Sequence, residues 1–182
     1  MSKRTSPDKI TLGSGKAYIM EYTGEMPEVT AICVEENLLG KIQGGAELTY
    51  TTETHEERDD LGTVAKVVVT AEEAILKLGL ITFNGKTLAQ LADRCKVTEA
   101  AGKRTLHIGG AGNAQGKEWV VCFAHEDKTD GNIWVMVRGA NQAGLTLAFA
   151  TDAGSKLEPE IKALPCDDDG TLITYIEEIA TA

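Results

Sequence analysis

The hydrophobic residues of this chain fall in short runs that are rich in valine, isoleucine, threonine and aromatic residues and are separated by glycine. Such runs, bounded by turn-forming residues, are typical of β-strands. Nineteen glycines against only four prolines supply the breaks. The pattern predicts a mainly β protein with strands at residues 16–22, 29–34, 45–54, 63–70, 103–108, 117–124, 132–138, 144–151, 157–164 and 171–177.

The most unusual pattern is a strand with one polar face that leads into a charged turn. Alternate side chains of a strand point to opposite faces, so one face of residues 46–54 carries only Glu47, Thr49, Thr51 and Glu53. Between this strand and the next lies HEERDD, with five charges in six residues. We expect a long hairpin over residues 45–70 whose charged tip projects into solvent or contacts a neighbouring subunit. The tip comprises His55, Glu56, Glu57, Arg58, Asp59 and Asp60.

Two turns predict an antiparallel meander in the second half of the chain. Asp130 and Gly131 form the first turn, so the strands at 117–124 and 132–138 should pair as a hairpin. The segment GANQAG forms the second turn and leads into the strand at 144–151. We therefore expect three adjacent antiparallel strands.

Two segments have helical features. Apolar residues at helical spacing predict a helix over residues 84–94, and Asn84 with Gly85 could form the turn into it. Residues 71–79, AEEAILKLG, contain good helix formers after a possible N-cap at Thr70. A twisted strand remains open as the alternative for this second segment, because it continues a strand-like run without a break.

Length and charge narrow the class of protein. A chain of 182 residues that is 42% hydrophobic can form a core as one domain over residues 1–182. Its formal net charge of -10 disfavours a protein that coats DNA, because such proteins neutralise phosphates with clustered lysine and arginine. The sequence predicts neither a membrane-spanning helix nor a secretory signal. We therefore expect the protein to be synthesised and used inside a cell. The scattered cysteines are expected to be free thiols.

Motifs for catalysis or cofactor binding fail when they are tested residue by residue. A phosphate loop aligned on Gly15 and Lys16 has Ala17 where a hydroxyl should bind magnesium. The glycine cluster from Gly109 has Gln115 where the dinucleotide motif needs its third glycine. The three histidines have no metal-binding spacing. We therefore expect no catalytic activity, no cofactor and no metal site.

In the order of its parts, the sequence resembles the tail tube, or major tail, proteins of long-tailed bacteriophages and related prophage elements. The resemblance begins at ITLGSGKAYIMEY and is strongest from GGAELTYTTETHEERDD to ITFNGKTLAQL. It returns at DDDGTLITYIEE. The shared order is a glycine-marked strand, a polar-faced strand with a long charged hairpin, a helix and a final antiparallel set.

The resemblance implies an antiparallel β-sandwich with one flanking α-helix, assembled as a hexameric ring. In such rings the inner strands of six subunits form a continuous β-barrel, and stacked rings form the channel for viral DNA ejection. By position, the face of Glu47, Thr49, Thr51 and Glu53 becomes a candidate for the channel wall. The tip from His55 to Asp60 becomes a candidate contact to the adjacent ring. Residues 1–10 and the residues from Glu177 onwards become candidate arms between rings.

The same resemblance implies partners and a location. The expected partners are further copies of the chain, and the tape measure, tail terminator, distal tail and sheath proteins are candidate partners. Duplex DNA would pass through without specific binding, since six copies carry a formal charge of six times -10, or -60. The protein would be made in the host bacterial cytoplasm and reside in the virion tail.

A monomeric or dimeric β-sandwich that binds carbohydrate or mediates adhesion is the alternative function. Trp119 or Trp134 would then provide a platform on which a sugar ring stacks. The more ordinary role for both side chains is support of a sheet. Rings or tubes would favour the tail-tube interpretation, and discrete particles would favour the binding module.

Overall fold

The computed structural model describes residues 15–62, 65–127, 131–147, 149 and 154–179. The protein is mainly β, and its sheets are antiparallel. Within the described residues there are nine strands and two short α-helices. The strands are β1 (Lys16–Glu21), β2 (Leu38–Arg58), β3 (Ala65–Leu80), β4 (Cys95–Ala100), β5 (Lys103–Ile108), β6 (Trp119–His125), β7 (Ile133–Asn141), β8 (Glu160–Ala163) and β9 (Thr174–Glu177). The helices are α1 (Val29–Ile32) and α2 (Gly85–Leu91).

Seven of the strands form one sheet in the order β6-β1-β2-β3-β8-β7-β9. Because β6 also pairs with β7, the pairings of six of these strands run in a circuit. Several links of the circuit are short: β1 pairs with β2 through three residues, and β8 pairs with three residues of β3. The hairpin of β4 and β5 forms a separate two-stranded sheet.

The main core lies between the strands of this circuit. Alternate residues of each strand point inward, as the two-residue repeat of a strand requires. This cluster includes Ile19, Leu39, Leu76, Val137 and Ile161. A second cluster lies on the other face of β1, β6 and β7, where Ile32 of α1 packs over Val120 and Cys122.

The prediction of a helix at 71–79 is wrong, and the strand that was left open as its alternative is present. The whole segment lies in β3, where Ala74, Leu76 and Leu78 are buried at every second position. A two-residue repeat favours a strand over a helix when one face packs on a core. The strand predicted at 45–54 and the described part, 65–70, of the strand predicted at 63–70 therefore belong to a longer pair.

The strand predicted at 29–34 is also wrong. Residues Val29–Ile32 form α1 and a 3-10 turn follows at Glu35–Asn37. The Asn37 side-chain amide donates to the carbonyl oxygens of Ala31 and Ile32, both at 3.2 Å. These bonds satisfy carbonyls that the end of a helix leaves unpaired, so a single turn is stable here.

The helix predicted at 84–94 is confirmed in a shorter form, Gly85–Leu91. The Asn84 side chain is its N-cap and accepts hydrogen bonds from the backbone N–H of Lys86 at 2.8 Å and of Thr87 at 3.2 Å. The strand β4 was not predicted. It pairs with β5, which has the predicted bounds, across a turn in which Ala101 has φ 51° and Gly102 has φ 72°.

The predicted meander is confirmed in its first two strands only. Strands β6 and β7 pair from Trp119↔Gly139 to His125↔Ile133. In the described part of 144–151, residues 144–147 and 149, the predicted third strand is absent. The neighbours of β7 on its other edge are β8 and β9, which lie within the predicted segments 157–164 and 171–177. Among the described residues, no helix is long and apolar enough to cross a membrane.

Candidate functional site

The two longest strands of the described chain, β2 and β3, form a hairpin whose pairing runs from Ile42↔Leu80 to Arg58↔Ala65. Strand β8 flanks β3 only at Ile75–Lys77. Beyond this point the hairpin is a two-stranded ribbon in which residues 50–62 and 65–72 are all exposed. Within the described residues no third strand covers either edge of the ribbon. An isolated two-stranded ribbon is at best marginally stable in water, and its edges can template pairing with another chain.

Two bulges shape the hairpin. Between Ile42 and Ala46 three residues of β2 lie opposite the single residue Gly79, so β2 has two extra residues there. A Cβ on Gly79 would meet the Gln43 carbonyl oxygen at 2.5 Å. Farther out, the register skips Thr70 between Ala71 and Val69. A bulge of one residue exchanges the faces of the side chains beyond it. Consequently the valines at 67 and 69 share the face that leads back to the core.

The four candidate channel residues, Glu47, Thr49, Thr51 and Glu53, lie on one face of β2. Their partners on β3 are, in order, Lys77, Ile75, Glu73 and Ala71. Strand β8 extends the same face with Glu160 opposite Lys77 and with Lys162 opposite Ile75.

Charge on this face is mixed. Lys77 Nζ lies 3.0 Å from Glu160 Oε1, and Lys162 Nζ lies 2.6 Å from Glu73 Oε1. The hydrogen bond that Lys77 donates to Glu160 raises the pKa of Lys77, so this lysine stays charged. Four glutamates and two lysines leave a formal charge of -2 on the face. The alternation of polar residues in β2 could not predict that two lysines share this face. The lysines lie on β3 and β8, at least 30 residues beyond Glu47 along the chain.

The opposite face of the ribbon carries exposed apolar side chains. Tyr50 is 51% exposed, Val67 58% and Val69 56%. The Tyr50 hydroxyl donates to Glu72 Oε1 at 2.7 Å, and this bond raises the pKa of the phenol. The sequence analysis did not identify these valines as a surface feature. The available signal was the run of three valines, residues 67–69, between Lys66 and Glu72. Exposed large apolar side chains of this kind are candidates for contact with another protein surface.

Most of the predicted charged tip lies in the strand. His55, Glu56, Glu57 and Arg58 belong to β2, and Asp59–Gly62 form the turn, closed by a hydrogen bond from Gly62 N–H to the Asp59 carbonyl at 2.9 Å. Two side-chain contacts link the strand residues: Arg58 Nε lies 2.6 Å from Glu56 Oε1, and His55 Nε2 lies 2.8 Å from Glu57 Oε1. Leu61 in the turn is 85% exposed. The tip therefore combines acidic side chains with one apolar side chain.

The two tryptophans do not form a common platform. Trp119 packs against the main core, and Trp134 packs against the second cluster on the other face of β6 and β7. Both are half-buried. The Lys117 ammonium lies 5.8 Å from the centre of the Trp119 ring.

Other reactive side chains lie apart from the hairpin. His107 and His125 are near the ends of β5 and β6, and His125 is buried. In the described ranges, no three His, Cys, Asp or Glu residues are grouped as a metal site. The four cysteines are free thiols. The Sγ atoms of Cys33 and Cys122 are 3.8 Å apart, and burial raises the pKa of both thiols.

No protein-family model matches this chain, and comparison with curated proteins gives no significant match. The site must therefore be interpreted from its own geometry. Within the described residues, that geometry is a ribbon with two uncovered edges, one mixed-charge face, an opposite face with exposed Tyr50, Val67 and Val69, and an acidic tip.

Proposed function

We propose that this protein is a structural subunit of a long-tailed phage tail tube. Six copies form a ring in which the β2–β3 hairpins join into an inner β-barrel, and stacked rings form the channel for DNA ejection. The observation that carries the proposal is the ribbon itself. Its two edges have no partner strand within the described residues, and Tyr50, Val67 and Val69 on one face are exposed. Pairing with identical neighbours in a closed ring removes both exposures.

The electrostatics of the candidate channel face support a passage that does not hold DNA. With a formal charge of -2 in each subunit, six copies contribute six times -2, or -12, to the wall. Lys77 and Lys162 are paired with carboxylates, so their charge is offset locally. Phosphates bind where lysine and arginine are free to replace counterions. A wall with a net negative charge repels the duplex and leaves it mobile.

The remaining roles follow from this architecture. The tip reaches the adjacent ring, and the subunit packs as a β-sandwich with α2 on its flank. The tape measure, tail terminator, distal tail and sheath proteins are the candidate partners in a virion tail, after synthesis in the bacterial cytoplasm. The proposed N-terminal arm, residues 1–10, lies outside the described residues, and of the C-terminal arm the structure describes only residues 177–179.

Electron microscopy of the purified protein in negative stain tests the proposal. Rings or tubes with a central hole are expected, and size-exclusion chromatography with light scattering should give six copies for the ring. Discrete particles at every concentration, without rings even when tail partners are added, would contradict it. They would favour the carbohydrate or adhesion module, for which glycan binding lost on Trp119→Ala or Trp134→Ala is the positive test.

A further inference from the structure

The hairpin of β4 and β5 is a basic element on an acidic protein. Residues 94–108 contain four lysine or arginine residues and one glutamate, a formal charge of +3. The rest of the chain therefore carries -13, which with +3 gives the total of -10.

The two faces of this hairpin differ. One face packs on α2 through Cys95 and Leu106. Arg104 on that side forms an ion pair with Glu99, with 2.5 Å between Nε and Oε1. The other face is exposed and contains no acidic residue; it consists of Lys96, Thr98, Ala100, Lys103, Thr105 and His107. We call it the basic face.

The tip of the β2–β3 ribbon is complementary in charge. Residues 55–62 contain four acidic residues and one arginine, a formal charge of -3. Arg58 is the only lysine or arginine of residues 55–62 and forms an ion pair with Glu56. Acidic residues, among them Glu57, Asp59 and Asp60, are therefore in excess at the tip. All three are exposed. Opposite charges across an interface speed association and fix its register.

The two surfaces lie at opposite ends of the long hairpin. The helix α2, which supports β4 and β5, is anchored at the base of β2, where Thr87 Oγ1 donates to the Leu39 carbonyl oxygen at 3.0 Å. Lys86 Nζ binds the Glu36 carbonyl oxygen beside it at 2.8 Å. From Ala46 to Arg58 the ribbon extends a further 40 Å or so, at roughly 3.3 Å for each residue. The tip therefore cannot fold back onto its own basic face without breaking the hairpin.

We propose that the basic face is the docking surface for the acidic tip of a second copy of this chain. The contact is heterologous, because one end of a subunit binds the other end of the next subunit. Repetition of such a contact produces an open stack. This proposal rests on the proposed function and adds the surface that receives the hairpin between rings.

Reciprocal charge reversal tests the docking. Glu57→Lys with Asp60→Lys, or Lys96→Glu with Lys103→Glu, should leave single rings and shorten tubes by roughly tenfold or more. Combining all four changes restores opposite charges and should restore tubes. Lys96→Arg with Lys103→Arg keeps the charge and should assemble as the parent does. Circular dichroism should show the same folded subunit for every variant, because all four positions are exposed.

A control separates docking from net charge. The tip reversal changes the formal charge from -10 by four units to -6, and Lys41→Glu with Lys156→Glu returns it to -10 at exposed sites outside the basic face. That combination should still fail to stack; tubes from it would overturn the docking proposal. Stacking that ignores both reversals would also overturn it, while rings and tubes of the parent would leave the proposed function intact.

Two further outcomes are decisive. If the parent forms neither rings nor tubes, both proposals fail together. If the parent subunit retards duplex DNA in a gel and Lys96→Glu with Lys103→Glu abolishes this, the basic face binds nucleic acid and the tip is not its partner.

Discussion

At the scale of single residues, Asn84 positions the helix that contacts the base of the β2–β3 hairpin. Its side chain caps α2, and the first turn of that helix places Thr87 against the Leu39 carbonyl at the base of the hairpin. The sequence alone indicates this cap, because asparagine before a short amphipathic segment is a local feature. The contact from Thr87 to Leu39 joins residues 48 apart and has no local pattern.

Replacing Asn84 with alanine should lower the free energy of unfolding by about 1 kcal/mol, because two backbone N–H groups lose their acceptor. Urea denaturation followed by circular dichroism measures the change. Asn84→Asp keeps an acceptor and should stay near the parent. An alanine variant as stable as the parent would show that the cap does not support the base of the hairpin.

Glu47 and Glu53 permit a test of the proposed channel wall. Changing both to lysine leaves the exposed ribbon folded, places a lysine opposite Lys77, and should make assembled tubes retain DNA in a salt-sensitive way. Glu25→Lys with Glu28→Lys makes the same change in net charge at exposed sites away from the hairpin and should not retain DNA. If the Glu47 and Glu53 variant behaves like the parent, the wrong face or strand was assigned to the channel.

At the scale of elements, short-range patterns predicted more than long-range ones. The bounds of β5 and the pairing of β6 with β7 follow from alternation and from glycine turns. The full length of β3 does not, since AEEAILKLG satisfies both helix and strand preferences until β2 supplies a partner. Likewise, α1 replaces a predicted strand because the amide of Asn37 binds two of its carbonyls.

The hairpin is the element whose removal should separate folding from assembly. Deleting Glu56–Asp60 removes most of the tip but none of the buried core residues. The subunit should keep its thermal transition and its circular dichroism spectrum, while tubes should no longer elongate. Length distributions from negative-stain images measure this effect. Normal tube growth by the deletion variant would remove the proposed role of the tip between rings.

At the scale of the whole molecule, we propose that the edges of the β2–β3 ribbon complete their backbone hydrogen bonding by pairing with identical copies of the chain. The main core stabilises the circuit of six strands. Within the described chain, the ribbon beyond β8 has neither a buried core nor a third strand to stabilise it. Its exposed valines and uncovered edges have a physical explanation if neighbouring copies cover them. The sequence indicated the ribbon and its polar face, whereas the number of copies in a ring comes only from the family resemblance.

A cryo-electron microscopy map of the assembled protein tests this claim most directly. We expect a ring of six subunits in which β2 of one copy pairs with β3 of the next. The side chains of Glu47, Thr49, Thr51 and Glu53 should face a central channel. A map of a solitary closed subunit, or of a pore lined by unpaired lysine and arginine, would contradict it.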